Sequence, residues 1–350
     1  MNAKAVCSSL CMISLALVAS APATFAAVPR NVAYVSTPEG ITVIDLARLV
    51  PVSEIDVGGK GPRGLAITPD GKYLLTANQH TADVSVIDTA TARVVRRIPI
   101  GKNPEFMRIQ HDGAMAYVTY EPSVVGGPPG KAPKEEQGGS PAEVAAVDPL
   151  AGSAKSFLTG GRETEGIEFS PDGRFIVVAN EGNDTVALYD KATGKVAKTI
   201  DVKPWGSRPR GVKIAPDGRT YVVTMENSNN FVVFDRDFNF VKSIATEQGP
   251  YGVTFDRGGK HLLIAAARSG VLEVFDAKTY AQVAKAPLGK RCWHFSFTPD
   301  DSKIIVACGR SNDLRVIDAT TFRPEKVIAG VHLPWGLVTY PKAYGTLDTP

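Results

Sequence analysis

Seven residues recur at nearly constant spacing yet differ in chemistry: Arg63, Glu105, Glu165, Arg210, Tyr251, Trp293 and Trp335, separated by 42, 60, 45, 41, 42 and 42 positions. Brought together, two guanidinium forks would grip an anion or polarise a carbonyl, two carboxylates would move protons, and three aromatic rings would give stacking area. The set also has a purely structural reading. Two cations balance two anions, so the same residues would make a self-neutralising plug of ion pairs packed with aromatic rings. Arg291 and His294, read as lying in the connecting segments that adjoin the series, join it as candidate ligand-binding residues. A looser group from connecting segments comprises Arg208, His332, His80, Asn180, Glu226, Arg268 and Arg310.

Other chemistry has no foothold. There is no Gly-x-Ser-x-Gly elbow, no Ser, His and Asp order that the sequence places together, and no Gly-rich phosphate loop leading from strand to helix. His-x-x-His, Cys-x-x-Cys and His-x-Glu spacings are also missing, so no metal site is expected. Without Cys-x-x-Cys-His there is no covalent haem attachment, and no cofactor is assigned. No residue is assigned a catalytic role on sequence alone.

The elements that must position the seven residues follow from their period. Each opens a short apolar run, as in Arg63-Gly64-Leu65-Ala66-Ile67, and each run leads into a turn such as Pro69-Asp70-Gly71 or Pro171-Asp172-Gly173. Pro presets the turn φ and Gly accepts a positive one, so these are hairpin tips. A second marker runs in phase: an apolar stretch closed by Asp45, Asp88, Asp148, Asp190, Asp235, Asp276 and Asp318. Sevenfold recurrence argues that these carboxylates cap turns rather than catalyse. Period-2 alternation in the first full unit predicts strand A at 63–68, B at 73–77, C at 83–88 and D at 94–100. Four short antiparallel strands at a period near 42 specify an all-β, seven-bladed β-propeller. The unit at Trp335 supplies an A strand without B, C and D, and residues 32–57 supply B, C and D without an A. The two ends therefore share one blade and close the ring.

One unit carries 18 extra residues, between strands B and C at 121–143, rich in Pro, Gly and charge, which predicts a mobile loop. It shares a face with the D-to-A connections. Cys292 and Cys308 lie on one A–B hairpin. Simple register sets Cys308 opposite Trp293, which predicts two buried thiols unless a bulge brings the sulfurs together.

The run Asn180-Glu181-Gly182-Asn183-Asp184-Thr185-Val186, continuing to Val196, and its parallel at 78–94 resemble the YVTN-type β-propeller repeat family. The stretches Gly289-Lys290-Arg291-Cys292-Trp293-His294, Pro334-Trp335-Gly336 and Asn103-Pro104-Glu105 resemble exported seven-repeat members associated with PQQ-dependent alcohol catabolism. Tyr117-Val118-Thr119-Tyr120 departs from the eponymous tetrapeptide by lacking its Asn. The resemblance implies a propeller and no particular reaction, since propellers host unrelated functions.

Composition agrees with a folded, exported protein. With 43% hydrophobic and 21% charged residues, the chain can bury a sizeable core. A net charge of +3, with no Lys/Arg-rich run, excludes a strong electrostatic grip on nucleic acid. Residues 1–26, with Lys4 ahead of an apolar stretch and Thr24-Phe25-Ala26 at the end, read as a signal peptide cut after Ala26. The propeller then occupies 27–350, periplasmic or secreted, with no membrane span after cleavage. The leading expectation is a non-enzymatic scaffold. It would bind a small-molecule ligand or a periplasmic protein, such as a quinoprotein dehydrogenase or its cytochrome, as an accessory to quinoprotein alcohol oxidation. The alternative is a lactonase-like hydrolase that uses the rim of the central channel.

Overall fold

In blade I the inner strand A is Pro62–Ile67, followed by B at Tyr73–Asn78, C at Asp83–Asp88 and D at Arg93–Pro99, each within about two residues of its expected place. The A, B and C strands are buried nearly throughout, because neighbouring blades cover both faces of each sheet, whereas D faces solvent. The computed structural model describes residues 27–121, 142–158 and 161–350. Among these, 28 strands form seven four-stranded antiparallel sheets. The expected signal peptide and residues 122–141 of the expected mobile loop lie outside the described residues. The ends of that loop are anchored at the D-to-A connections: the Glu121 N–H donates to the Lys102 carbonyl at 3.1 Å and the Ala142 N–H to the Gly161 carbonyl at 2.9 Å. Among the described residues no helix is long and apolar enough to cross a membrane.

The seven Asp residues cap turns, as their recurrence implied. Asp88 Oδ1 accepts the Thr91 N–H and hydroxyl at 2.9 and 3.0 Å, and Asp45, Asp148, Asp190, Asp235, Asp276 and Asp318 accept backbone N–H groups two to four residues on. Blade VII closes the ring as expected. Its inner strand Leu337–Tyr340 pairs antiparallel with Val32–Thr37, from Val35 opposite Leu337 to Val32 opposite Tyr340.

Two features were not legible. First, in blades I to VI the A–B register shifts between the first and fourth residues of strand A, as between Pro62 and Leu65. A bulge of this kind re-aims side chains, here the second and third positions of strand A, into the channel. Glycine fills the third position in blades I, III, IV and V because inner strands nearly touch: a Cβ on Gly166 would sit 2.4 Å from the Arg210 carbonyl oxygen, and one on Gly64 2.7 Å from that of Glu105, whereas Gly336, just ahead of strand A in blade VII, makes room for the Leu347 side chain. Phe106 and His294 take that position in blades II and VI.

Second, the chain does not end at strand A of blade VII. It turns at Pro341 and enters the channel. Gly345 bridges Ser296, the Thr346 N–H donates to the Phe295 carbonyl at 2.9 Å, and Leu347 packs against Gly336. Thr346, Leu347 and Asp348 are buried there. Arg108 Nη2 donates to the Thr349 hydroxyl at 2.7 Å, and Lys342 pairs with Asp348 at 2.9 Å. The end of the channel away from the D-to-A mouth is therefore filled by the tail.

Close approach of inner strands carries a testable cost. Gly166→Ala forces its methyl into the Arg210 backbone and is expected to destabilise the fold by about 1–3 kcal/mol in denaturant unfolding; an unchanged midpoint would show that the inner strands have slack.

Candidate functional site

At the second position of strand A, the bulge turns six of the spaced residues towards the axis, and Trp335, just ahead of the inner strand Leu337–Tyr340, joins them in a cup beneath the D-to-A mouth. The cup has two unlike halves. Blades V, VI and VII contribute Tyr251, Trp293 and Trp335, each buried to within 6% exposure. Blades I to IV contribute Arg63, Glu105, Glu165 and Arg210. Arg63 pairs through Nη1 with Glu105 and lies 5.8 Å from the Trp335 ring centroid. Arg210 pairs through Nη1 with Glu165, meets Glu181 at 2.5 Å and Glu226 at 2.7 Å, and stacks 4.7 Å over Tyr251.

Glu181 was not singled out in the sequence, and Glu226 appeared there only as a loop residue. Both follow the last residue of strand B. Compared across blades II to VI, that position reads Glu121, Glu181, Glu226, Ala267 and Gly309, so the signal was present in the repeat alignment. In these five blades it is acidic where the cup is charged and small where it is aromatic, while blade I has Gln79 and blade VII Pro38. Gly309 shows why: a Cβ there would lie 2.0 Å from the Trp293 ring, so the indole occupies the space a side chain would need.

Around Glu226 gather Arg208 at 3.1 Å, Arg268 at 3.0 Å and Arg291 at 3.8 Å. Arg208 also meets Glu181 at 2.8 Å. Solvent reaches the guanidinium side chains first: Arg291, Arg208 and Arg268 keep 24%, 30% and 36% exposure, against 4% for Glu181 and Glu226. Hydrogen-bond donors therefore lie on the solvent side of the buried Glu181 and Glu226 carboxyls.

The carboxylates are not equivalent. Burial works against ionisation of Glu226, but Arg210, Arg208 and Arg268 hold its carboxyl down at about 2. Burial raises Glu105 to about 7, with Arg63 opposing and Glu165 adding to the rise. Burial also lifts Glu181 well above the usual range and keeps the Tyr251 phenol protonated. Gln79 Nε2 donates to Glu105 Oε1 at 3.0 Å and also to Asn103 Oδ1, fixing that carboxyl in place.

Two other expectations need correction. His294 was grouped with the connecting segments, but it lies in strand A of blade VI, Cys292–Phe297, 2% exposed and inside the channel. Its ring is 4.3 Å from Trp335, 5.3 Å from Tyr251 and 5.8 Å from Phe106. Burial, with Lys213, Arg210 and Arg63 nearby, lowers its conjugate acid to about 3, so the imidazole is neutral. Cys292 and Cys308 are bridged rather than free, because the A–B bulge sets them directly opposite each other. His332 stays out of the cup, exposed and paired with Glu39 at 2.7 Å. The seven residues are thus ion-paired within and edged by partly exposed guanidinium groups.

The family model described as "Lactonase, 7-bladed beta-propeller" matches residues 39–94 and 91–242, together more than half of the 350. An uncharacterised WD repeat-containing protein of Synechocystis sp. is 29% identical over 196 residues, covering 52% of this chain and 49% of the relative. The match thus spans about half the length of that relative. Among solved structures, the Pseudomonas aeruginosa periplasmic gluconolactonase superposes with a TM-score of 0.71 at 18% identity, over 87% of this chain and 98% of that one. Kuenenia stuttgartiensis hydrazine synthase superposes with a TM-score of 0.69 at 22% identity, over 83% and 93%. At such identities these structures share the fold. The family match overturns the expectation of a non-enzymatic accessory to quinoprotein alcohol oxidation. That expectation rested on missing sequence motifs for catalysis, and a site assembled from one residue per repeat leaves no such motif.

Arg210 contacts three glutamates at once. Arg210→Met is expected to cost about 3–5 kcal/mol at neutral pH, because buried carboxylates lose their shared partner. The deficit is expected to shrink as pH falls and those groups protonate; unfolding curves at two pH values check both statements.

Proposed function

Because this chain belongs to the seven-bladed β-propeller lactonase family, we propose that it hydrolyses a lactone in the cup at its channel mouth. The observation that carries the reading is Glu105, a buried carboxyl raised to about 7 and held against the Arg63 guanidinium. A group that titrates near neutrality is ionised often enough to take a proton and acidic enough to return it.

The reaction divides among the residues as follows. The aromatic half, Trp293, Trp335 and Tyr251, receives the face of the lactone ring. Arg63 and Arg210 donate to the carbonyl oxygen, where negative charge grows as the tetrahedral intermediate forms. The Glu105 carboxylate accepts the proton of the attacking water as its oxygen bonds to the carbonyl carbon. When the intermediate collapses and the ring C–O bond breaks, the same proton passes to the leaving alkoxide, giving a hydroxy acid. Tyr251, protonated and 3.4 Å from Glu165 Oε2, supplies a further donor. Arg291 at the rim meets the anionic product. His294 stays neutral and accepts a hydrogen bond at the floor of the cup.

The work is done outside the cytoplasm. Residues 1–26 read as an export signal, and the Cys292–Cys308 bridge suits an oxidising compartment.

The test is a panel of γ- and δ-lactones assayed by acid release against spontaneous hydrolysis. Turnover is expected, with kcat rising as pH increases through about 7, because only ionised Glu105 accepts a proton. Glu105→Gln is expected to lower kcat by about 10²–10⁴-fold and to remove that pH step. A flat panel with folded protein, or an unchanged profile in the variant, defeats the reading.

The raised carboxyl also affects stability. Folded Glu105 holds its proton up to about 7 while the unfolded chain releases it near 4.5, so stability is expected to fall as pH rises between those values, and Glu105→Gln to remove that component of the decline.

A further inference from the structure

Below the cup, the channel holds a contact the lactonase reading does not use. Thr346, on the tail, places its hydroxyl 3.0 Å from His294 Nδ1. The same hydroxyl oxygen accepts the Phe295 N–H at 3.2 Å and lies 3.2 Å from the Phe295 carbonyl oxygen, to which it donates. A hydroxyl has one proton and two acceptor positions. With the proton directed to the Phe295 carbonyl and one acceptor position filled by the Phe295 N–H, the remaining position receives a proton from His294 Nδ1.

The other end of the ring agrees. His294 Nε2 is buried and has no hydrogen-bond partner. Were Nε2 the protonated nitrogen, a buried N–H would stand unpaired in the field of Lys213, Arg210 and Arg63. With those positive charges nearby, an unpaired lone pair at Nε2 is favoured over an unpaired N–H.

We infer that Thr346 is a positioning residue that fixes His294 as its Nδ1-protonated tautomer, leaving the Nε2 lone pair to accept a hydrogen bond from a ligand hydroxyl or the attacking water at the floor of the cup. The C-terminal tail is then part of the site as well as a stopper. A residue more than 50 positions from His294 sets which face of the imidazole is basic. The catalytic consequence rests on the lactonase reading; the tautomer does not.

The experiment uses the purified full chain labelled with ¹⁵N-histidine and two-bond ¹H–¹⁵N correlation spectra, the His294 signals being identified by their loss in His294→Gln. The expected result for the unsubstituted protein is a pyrrole-type Nδ1 and a pyridine-type Nε2, unchanged across the neutral range. Thr346→Ser keeps the hydroxyl and is expected to keep that pattern. Thr346→Val removes it and is expected to shift the ring to the Nε2-protonated form or a mixture, with kcat for the lactone falling roughly ten- to a hundredfold and Thr346→Ser restoring it. Nε2 protonated in the unsubstituted protein overturns the inference even if the Val variant fails to fold, and so does a Val variant that keeps Nδ1 protonated. A shifted tautomer with unchanged kcat overturns the catalytic part. If no lactone is hydrolysed by any form, the lactonase reading fails and the spectra still decide the tautomer.

Discussion

The distance between inner strands governs the architecture. Seven strands meet around one axis so closely that their third residues are glycine in four blades, with a Cβ excluded by the next strand's carbonyl. Ring closure by Val32–Val35 against Leu337–Tyr340 prevents the blades from spreading to relieve that contact. Backbone positions at the axis are thereby set by packing. The bulge at the start of strand A turns one side chain in each of six blades into the space that remains, and this lets residues 41 to 60 positions apart act as one group.

Charge is placed within this ring with little water to screen it. Buried ion pairs seldom stabilise a fold over apolar packing, since desolvation offsets their attraction. Their value here is chemical. Arg210 and its neighbours hold Glu226 ionised, whereas burial, reinforced by nearby Glu165 and only partly opposed by Arg63, pushes Glu105 towards neutrality. Two carboxyls in one cup thus differ widely in acidity, which separates an electrostatic anchor from a proton carrier. The aromatic half needs small residues behind it, and Ala267 and Gly309 supply them.

The fold was legible because it is repetitive. Alternation, turn residues and the 42-residue period each pointed to the same four-stranded blade, and the ring-closing partnership of the two termini followed by counting. Much of the site was legible too, because comparing one position across repeats finds the residue each blade presents to the axis. The same comparison one strand later would have found Glu181. What escaped were the A–B bulges, which recur with the blades but appear only as a shift in strand pairing, and with them the Cys292–Cys308 bridge, and the entry of residues 342–350 into the channel. A short mixed segment that belongs to no repeat carries no pattern from which to read its destination.

The amino-acid order alone determined seven blades, the residues at the head of each inner strand and the capping work of the recurring aspartates, because these depend on local periodicity and turn chemistry. Tertiary structure alone decided which of those residues are paired, how acidic each carboxyl is, and that a tail threonine faces His294. Those properties arise from distances and burial among chain segments far apart in sequence, and no local pattern encodes them.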